Sequence, residues 1–166
     1  PRTIEETVSI GNQLIAAGQA SHPLALPVGE AGDPMSMYPL YSSAGGYLFK
    51  TDEDGDHRRS ELGLGTPESI AAFDRIAMLG ERGQGPLRRS IGPAEALRLF
   101  LDRQTPYLVG GLAGVAAARR AGISYDVSAV PGFYDGDTPQ PLISIGTFFL
   151  ASAGDGLARV TAVRFR

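Results

Sequence analysis

Residues 23–44 read PLALPVGEAGDPMSMYPLYSSA, and this stretch decides the predicted fold. Its first six residues form an apolar run bounded by prolines, which predicts a short buried strand over residues 23–28. A glycine-flanked loop follows over residues 29–32. Asp33 and Pro34 match a helix N-cap followed by proline at the first helical position, so a helix is predicted over residues 35–44. A strand, a glycine-rich turn and a capped helix in this order indicate an α/β layered domain.

The rest of the chain continues this alternation without an internal repeat. Helices are predicted over residues 4–18 from the capping box of Thr3 and Glu6, over 67–80 after Thr66, over 93–103 and over 112–121. Strands are predicted over residues 47–49, 107–109, 125–130 and 142–151, and loops over 51–60 and 83–92. Ligands lie beyond strand ends in such domains. The glycine-broken junctions at Asp33-Pro34 and Gly110-Gly111 are therefore the predicted binding positions.

The composition sets the class of protein. With 166 residues, 43% hydrophobic and 20% charged, the chain is expected to form a single globular domain. A net charge of −3 and the lack of a basic stripe argue against a nucleic-acid partner. No cysteine is present, and His22 and His57 lack metal-ligand spacing, so we predict no cofactor and no metal. The sequence begins at Pro1 without a signal peptide or a membrane-spanning stretch, and we expect a piece of a longer chain.

Two acidic segments permit other chemistry. Residues 52–56 (DEDGD) resemble a calcium loop, but their glycine is misplaced, so a solvated hairpin turn is favoured. Glu30 and Asp33 are a conceivable carboxylate pair for a glycoside-acting enzyme, although a helix cap is the favoured role of Asp33. Among the aromatic residues, Tyr38 and Tyr134 are predicted to contact a sugar ring because each lies beside a junction loop, whereas core packing is favoured for the others.

Six segments together carry a resemblance to a known family. These are residues 1–6 (PRTIEE), 33–40 (DPMSMYPL), 44–49 (AGGYLF), 107–113 (YLVGGLA), 121–127 (AGISYDV) with Pro131-Gly132, and 146–152 (GTFFLAS). In this order they resemble the maltose and maltodextrin-type solute-binding proteins of carbohydrate ABC importers, in particular their actinobacterial branch. The resemblance implies one lobe of a type II periplasmic-binding-protein fold, a mixed sheet flanked by helices. Residues 1–152 would be the continuous segment of the C-terminal lobe, and the N-terminal lobe would be absent.

The resemblance also implies site residues. Asp33, Pro34 and Met35 stand where the family places a carboxylate on sugar hydroxyls and an aromatic ring under the sugar. Gly110, Gly111 and Leu112 would line the cleft floor with backbone groups. Met35 and Ala113 occupy positions that carry aromatic platforms in maltose binders, so a sugar other than maltose is expected. Residues 153–166 depart from the family pattern; we predict a helix there, with a strand as the alternative.

The resemblance therefore implies a carbohydrate-binding protein and not an enzyme. Its expected partners are a mono- or oligosaccharide, the missing N-terminal lobe and ABC permease subunits, and its expected location is extracytoplasmic, either periplasmic or as a surface lipoprotein. Two alternatives stay open at this point. One is the enzyme that uses Glu30 and Asp33, and the other is a scaffold fragment that binds nothing.

Overall fold

The computed structural model describes residues 1–29, 31–52, 54, 57–83 and 85–143, and for Arg59 the backbone alone. The described elements are α1 (Ile4–Ala16), α2 (Pro34–Ser43), β1 (Phe49–Thr51), β2 (His57–Leu62), α3 (Pro67–Leu79), a 3₁₀ turn (Glu81–Gly83), α4 (Pro93–Leu101) and α5 (Leu112–Arg120). The chain thus mixes helix and strand, as predicted. A mixed sheet with several strands was predicted. Within the described ranges the sheet has two strands, β1 and β2, which form an antiparallel hairpin.

Side-chain caps begin three of the helices, as the sequence predicts. The Thr3 hydroxyl accepts from the Glu6 N–H at 3.1 Å, and the Thr66 hydroxyl accepts from the Ser69 N–H at 3.4 Å. Asp33 accepts from backbone N–H groups in the first turn of α2. These bonds satisfy donors that have no partner within a helix. The helix starts are therefore fixed by local sequence, and α1, α4 and α5 end within two residues of the predicted positions.

Two predicted strands meet without forming a ladder. Residues 23–28 and 107–109 are joined by a single parallel bridge between Ala25 and Leu108. The Ala25 N–H donates to the Tyr107 carbonyl at 2.9 Å, and the Val109 N–H donates to the Ala25 carbonyl at 2.9 Å. Pro27 has no N–H to donate to the Val109 carbonyl, so the pairing does not extend beyond Ala25 in that direction. The prediction of regular strands here was wrong, although the two segments are neighbours.

The hairpin lies partly where a loop was predicted. β2 begins at His57, inside the loop predicted over residues 51–60, and continues to Leu62. It pairs with β1, and His57 lies opposite Thr51. Its sequence, HRRSEL, lacks the apolar alternation that marks a strand. Cross-strand charge supports the pairing, because the Lys50 Nζ lies 3.9 Å from the Glu61 carboxylate. Glu53, Gly55 and Asp56 of the calcium-loop hypothesis lie outside the described residues.

The last predicted strands have different outcomes. Residues 125–130, all described, form no strand, and most are exposed. The prediction for 142–151 and the prediction for the 153–166 tail fall almost entirely outside the described residues. The remaining loop was predicted over residues 83–92. The 3₁₀ turn ends at Gly83, and the described residues from 85 to 92 form no helix or strand.

Two clusters of buried side chains make up the described core. The larger joins α1, α2 and α3 with the bridged segments, and it contains Ile4, Leu24, Leu26, Leu40, Tyr41, Ala72, Ile76, Leu87 and Phe133. The smaller surrounds α4 and contains Ala25, Ile91, Ala96 and Leu99. Because residues 24–26 contribute to both clusters, they hold the two halves of the core together.

Candidate functional site

The two glycine-broken junctions each follow one of the two bridged segments. The Ala25–Leu108 bridge is parallel, so both segments leave it in the same direction. One continues to Asp33, and the other reaches Gly110 and Gly111 two residues later. The loop before Asp33 is held against residue 91, because the N–H groups of Val28 and Gly29 donate to the Ile91 carbonyl at 3.0 and 2.8 Å. Both predicted binding positions therefore follow segments that leave the bridge in the same direction.

Asp33 is fixed by the helix that it caps. Its Oδ1 accepts from the N–H groups of Met35 and Ser36 at 3.1 and 3.3 Å, and its Oδ2 accepts from the Ser36 hydroxyl at 2.6 Å. A carboxylate offers about four acceptor positions, so roughly one is left for a ligand. Asp33 is only partly exposed, while Pro34 and Met35 next to it are exposed. The predicted cap is confirmed, and it orients the carboxylate.

The second junction presents an uncapped helix start. Gly111 is the N-cap of α5 and provides no side-chain acceptor to the first turn. A side chain at Gly111 would meet nothing within 4 Å, which shows that this backbone is open. Leu112 is 87% exposed, and Ala113 is also exposed. The backbone N–H groups at this helix end carry partial positive charge and can donate to hydroxyl oxygens.

Tyr38 and Tyr134 are not brought together. Tyr38 is partly buried, and its ring centroid lies 5.7 Å from that of Tyr41. Tyr134 is 80% exposed and follows Phe133, whose N–H donates to the Ser43 hydroxyl at 2.9 Å. Ser43 is the last residue of α2, so Tyr134 lies near the opposite end of this helix from Asp33, about 15 Å away along the axis. Tyr134 therefore belongs to a different surface from Asp33.

Sequence reasoning missed a large crevice among the described residues. Its volume is about 870 Å³, and its walls come from α1, residues 103–111, α5 and residues 123–131. Gly110 and Gly111 line it, whereas Asp33, Met35 and Leu112 do not. Four separate segments build the crevice, and no single segment carries a pattern that would have predicted it. It adjoins the predicted site only through the glycines.

A charged cluster holds the turn that carries Tyr134. The Arg75 guanidinium pairs with Asp135, lies 3.8 Å from the Glu5 carboxylate and stacks over Phe133 at 4.0 Å from the ring centroid. Glu5 also accepts from the Tyr134 N–H at 3.0 Å. The hydrogen bond from Arg75 is the main reason that the pKa of Asp135 lies below its ordinary value. The cluster ties α1 and α3 to residues 133–135.

This cluster predicts an acid-dependent contribution to stability. Because the pKa of Asp135 is lowered in the folded state, the contribution is complete above the ordinary aspartate pKa. It is lost as the pH falls through the lowered folded value, below about pH 4. Urea unfolding from pH 7 to pH 2.5 should therefore show Asp135→Asn less stable than the wild type near neutrality, with the difference shrinking in acid. When Arg75 is replaced by Gln, the stability difference caused by Asp135→Asn should no longer depend on pH. If that difference still depends on pH, Arg75 is not the cause of the lowered pKa of Asp135.

The chain was compared with known proteins. No protein-family model matches it, and no curated protein is significantly similar to it. Among the described residues, no helix is both long and apolar enough to cross a bilayer. In the same part of the chain, no three His, Asp or Glu side chains are grouped so that they could hold a metal ion. The two junctions are therefore the features that bear on function.

Proposed function

We propose that this chain is one lobe of an extracytoplasmic carbohydrate-binding protein that delivers a sugar to an ABC importer. The observation that supports the proposal is the parallel bridge between Ala25 and Leu108, because the two segments that leave it in the same direction lead to the two glycine-broken junctions, which in this proposal form one binding edge. The finer fold assignment, a lobe of the type II periplasmic-binding-protein fold, belongs to the same proposal. It is supported by the order of the six resembling segments along the sequence.

The chemistry at this edge suits a sugar. The remaining acceptor position of Asp33 would take a hydroxyl hydrogen, and the open N–H groups at the start of α5 would donate to hydroxyl oxygens. Met35 and Leu112 are exposed apolar side chains that would cover the carbon face of a ring. Neither Met35 nor Ala113 is aromatic, so we propose a sugar other than maltose. Tyr134 has no part in this site, because it lies near the other end of α2.

Capture would need the second lobe. A single edge covers one side of a ligand, and hinge closure of two lobes encloses it and excludes water. In this proposal the N-terminal lobe supplies the opposite wall, and permease subunits receive the sugar. No bond is made or broken.

The enzyme alternative gains no support from the geometry. Three hydrogen bonds already engage the Asp33 carboxylate as a helix cap. Glu30, its supposed partner, lies outside the described residues. Turnover of a chromogenic glycoside that Asp33→Asn abolishes would establish the enzyme and overturn the binding proposal.

The replacement Asp33→Ser separates the two roles of this residue. Serine is as good an N-cap as aspartate, so α2 should keep its stability, while the charged acceptor for the sugar is lost. A hydrogen bond to a charged group contributes about 1.5–3 kcal/mol, so the affinity should fall roughly 10- to 150-fold. Titration calorimetry of the two-lobed polypeptide that contains this chain, against a panel of mono- and oligosaccharides, measures the loss.

The matched control is Thr66→Ala, which removes the cap of α3 and leaves Asp33 intact. It should lower the free energy of unfolding by about 1 kcal/mol and leave sugar affinity unchanged. The absence of heat and of a thermal shift with every sugar tested would overturn the proposed function. Sugar binding that survives Asp33→Ser would keep the function and remove Asp33 from the site.

A further inference from the structure

A run of backbone without a hydrogen-bonded partner segment follows α5. Residues 124–131 form no helix, strand or turn, and residues 124–129 are all exposed. Among the described residues, no backbone–backbone hydrogen bond involves residues 124–131. In the same part of the chain, the one side-chain hydrogen bond to this run is local, because the Val127 N–H donates to the Asp126 carboxylate at 2.8 Å. The backbone of this run is therefore open to an enzyme that binds its substrate as a strand.

Both ends of this run are fixed to the rest of the molecule. At its start the Ile123 N–H donates to the Ala118 carbonyl at 3.0 Å. At its end the Ile4 N–H donates to the Gly132 carbonyl at 2.8 Å, beside the parallel bridge between Thr3 and Gly132. Eight residues lie between these anchors, and a strand of eight residues spans about 26 Å. A protease can therefore reach several consecutive residues here without unfolding a neighbouring helix or strand.

Side-chain exposure alone would favour a different position. Tyr125 is 39% exposed, whereas Tyr134 is 80% exposed. The turn that carries Tyr134 is held by its backbone, because the Tyr134 N–H donates to Glu5 at 3.0 Å and the preceding N–H donates to Ser43 at 2.9 Å. Such bonds must break before a protease can bind the segment, so the cleavage rate follows the population of the opened form. Backbone bonding therefore favours cleavage after Tyr125 over cleavage after the more exposed Tyr134.

We propose that residues 124–129 are a site of endopeptidase cleavage. The other exposed aromatic side chains of the described residues lie in hydrogen-bonded segments, namely Phe49 in β1, Phe73 in α3 and Tyr134 in its turn. An enzyme with a pocket for aromatic side chains therefore cuts the Tyr125–Asp126 bond. Water adds across this bond, so that the carbonyl carbon of Tyr125 gains a hydroxyl group and the nitrogen of Asp126 gains a hydrogen. Sugar binding plays no part in this cleavage.

The two fragments of the cut chain stay together. Phe133, on the downstream fragment, is 6% exposed and belongs to the larger core cluster. The Asp137 N–H donates to the Ser43 carbonyl at 2.8 Å. The Gln140 N–H donates to the Ser42 hydroxyl at 2.8 Å. Cleavage therefore breaks the covalent chain without releasing the downstream fragment from the core.

Limited digestion of the full chain with chymotrypsin, followed by mass spectrometry of the new chain ends, tests the site. The new N-terminus at Asp126 should appear at least about 10-fold faster than the one at Asp135, because the turn that carries Tyr134 must first lose several hydrogen bonds. Tyr125→Ala should abolish the faster cut, and the control Tyr134→Ala should leave its rate unchanged. Cutting after Tyr134 at a comparable or higher rate, or residues 124–129 that stay intact, would overturn the proposal.

A protease of broad specificity separates the backbone from the aromatic side chain as the cause. Proteinase K should cut within residues 124–129 before it cuts any other described segment, and it should do so in Tyr125→Ala as well. Earlier cuts in another described segment would mean that the pocket of chymotrypsin selects Tyr125, and they would overturn the proposal.

Size-exclusion chromatography of the chymotrypsin-cut protein shows whether the fragments stay together. They should elute as one species in native buffer and as two in denaturing urea. Separate elution in native buffer would contradict the hold that Phe133 and the bonds to Ser42 and Ser43 exert on the downstream fragment.

Discussion

Replacing Leu26 with alanine should lower the free energy of unfolding by about 2–5 kcal/mol. Leu26 is 1% exposed and belongs to the core cluster that joins α1, α2 and α3. The substitution removes buried methyl groups and leaves a cavity that the rigid bridged segment can close only in part. Urea unfolding followed by circular dichroism measures the change as a lower midpoint with an unchanged slope.

The matched control is Leu62→Ala on β2, which makes the same chemical change at a side chain that is 59% exposed. Its effect should stay within about 0.5 kcal/mol. Equal losses for the two variants would mean that residues 24–26 are not the link between the two parts of the core. A change of slope for Leu26→Ala alone would indicate a loss of cooperativity rather than of packing.

The helices were predictable because their signals are local. Thr3, Asp33 and Thr66 each stand within three residues of the N–H that they cap, so the sequence holds the whole interaction. In α2 and α3 the residue after the cap is proline. Proline is tolerated there because the N–H that it lacks would have no partner within the helix. These signals fix where a helix starts whatever the rest of the chain does.

The strands were less predictable because a strand needs a partner. The apolar run of residues 23–28 is buried as expected, but it forms a single bridge instead of a ladder, and Pro27 has no N–H with which to extend it. Residues 125–130 have the composition of a strand, yet no described segment pairs with them. The opposite error occurs in β2, where a polar sequence forms a strand because β1 lies beside it. Pairing is a property of two segments, and a pattern within one of them does not encode it.

The candidate site was predictable in part for the same reason. The sequence identifies Asp33 and Gly110-Gly111 as breaks after apolar runs, and the parallel bridge joins the two segments that lead to them. The sequence also suggests Tyr134 as a site residue. Tyr134 lies near the C-terminal end of α2, away from Asp33, because Phe133 and Asp137 donate hydrogen bonds to Ser43. That contact joins positions 90 residues apart and leaves no trace in either local sequence. Nearness to a loop in the sequence was therefore a poor guide to the position of an aromatic side chain.

The loop before Asp33 should tolerate no side chain at residue 29. A Cβ on Gly29 would overlap the Arg89 carbonyl oxygen and lie 2.9 Å from the Gly92 nitrogen, and both are backbone atoms that cannot rotate away. Gly29→Ala should therefore lower the free energy of unfolding by about 1–3 kcal/mol. The Gly32 N–H donates to the Gly29 carbonyl at 2.8 Å, so the displacement should reach Asp33 and weaken sugar binding as well.

Gly65→Ala is the control for this prediction, because a Cβ there would meet nothing within 4 Å. Its unfolding free energy should stay within about 0.5 kcal/mol of the wild type. Urea unfolding gives both stabilities, and amide chemical shifts of residues 33–36 report whether the cap of α2 has moved. If Gly29→Ala is as stable as Gly65→Ala, the loop does not pack on residues 89–92. If it is destabilised while the shifts of residues 33–36 stay unchanged, the packing is real but does not position Asp33, and the link between this loop and the binding edge is lost.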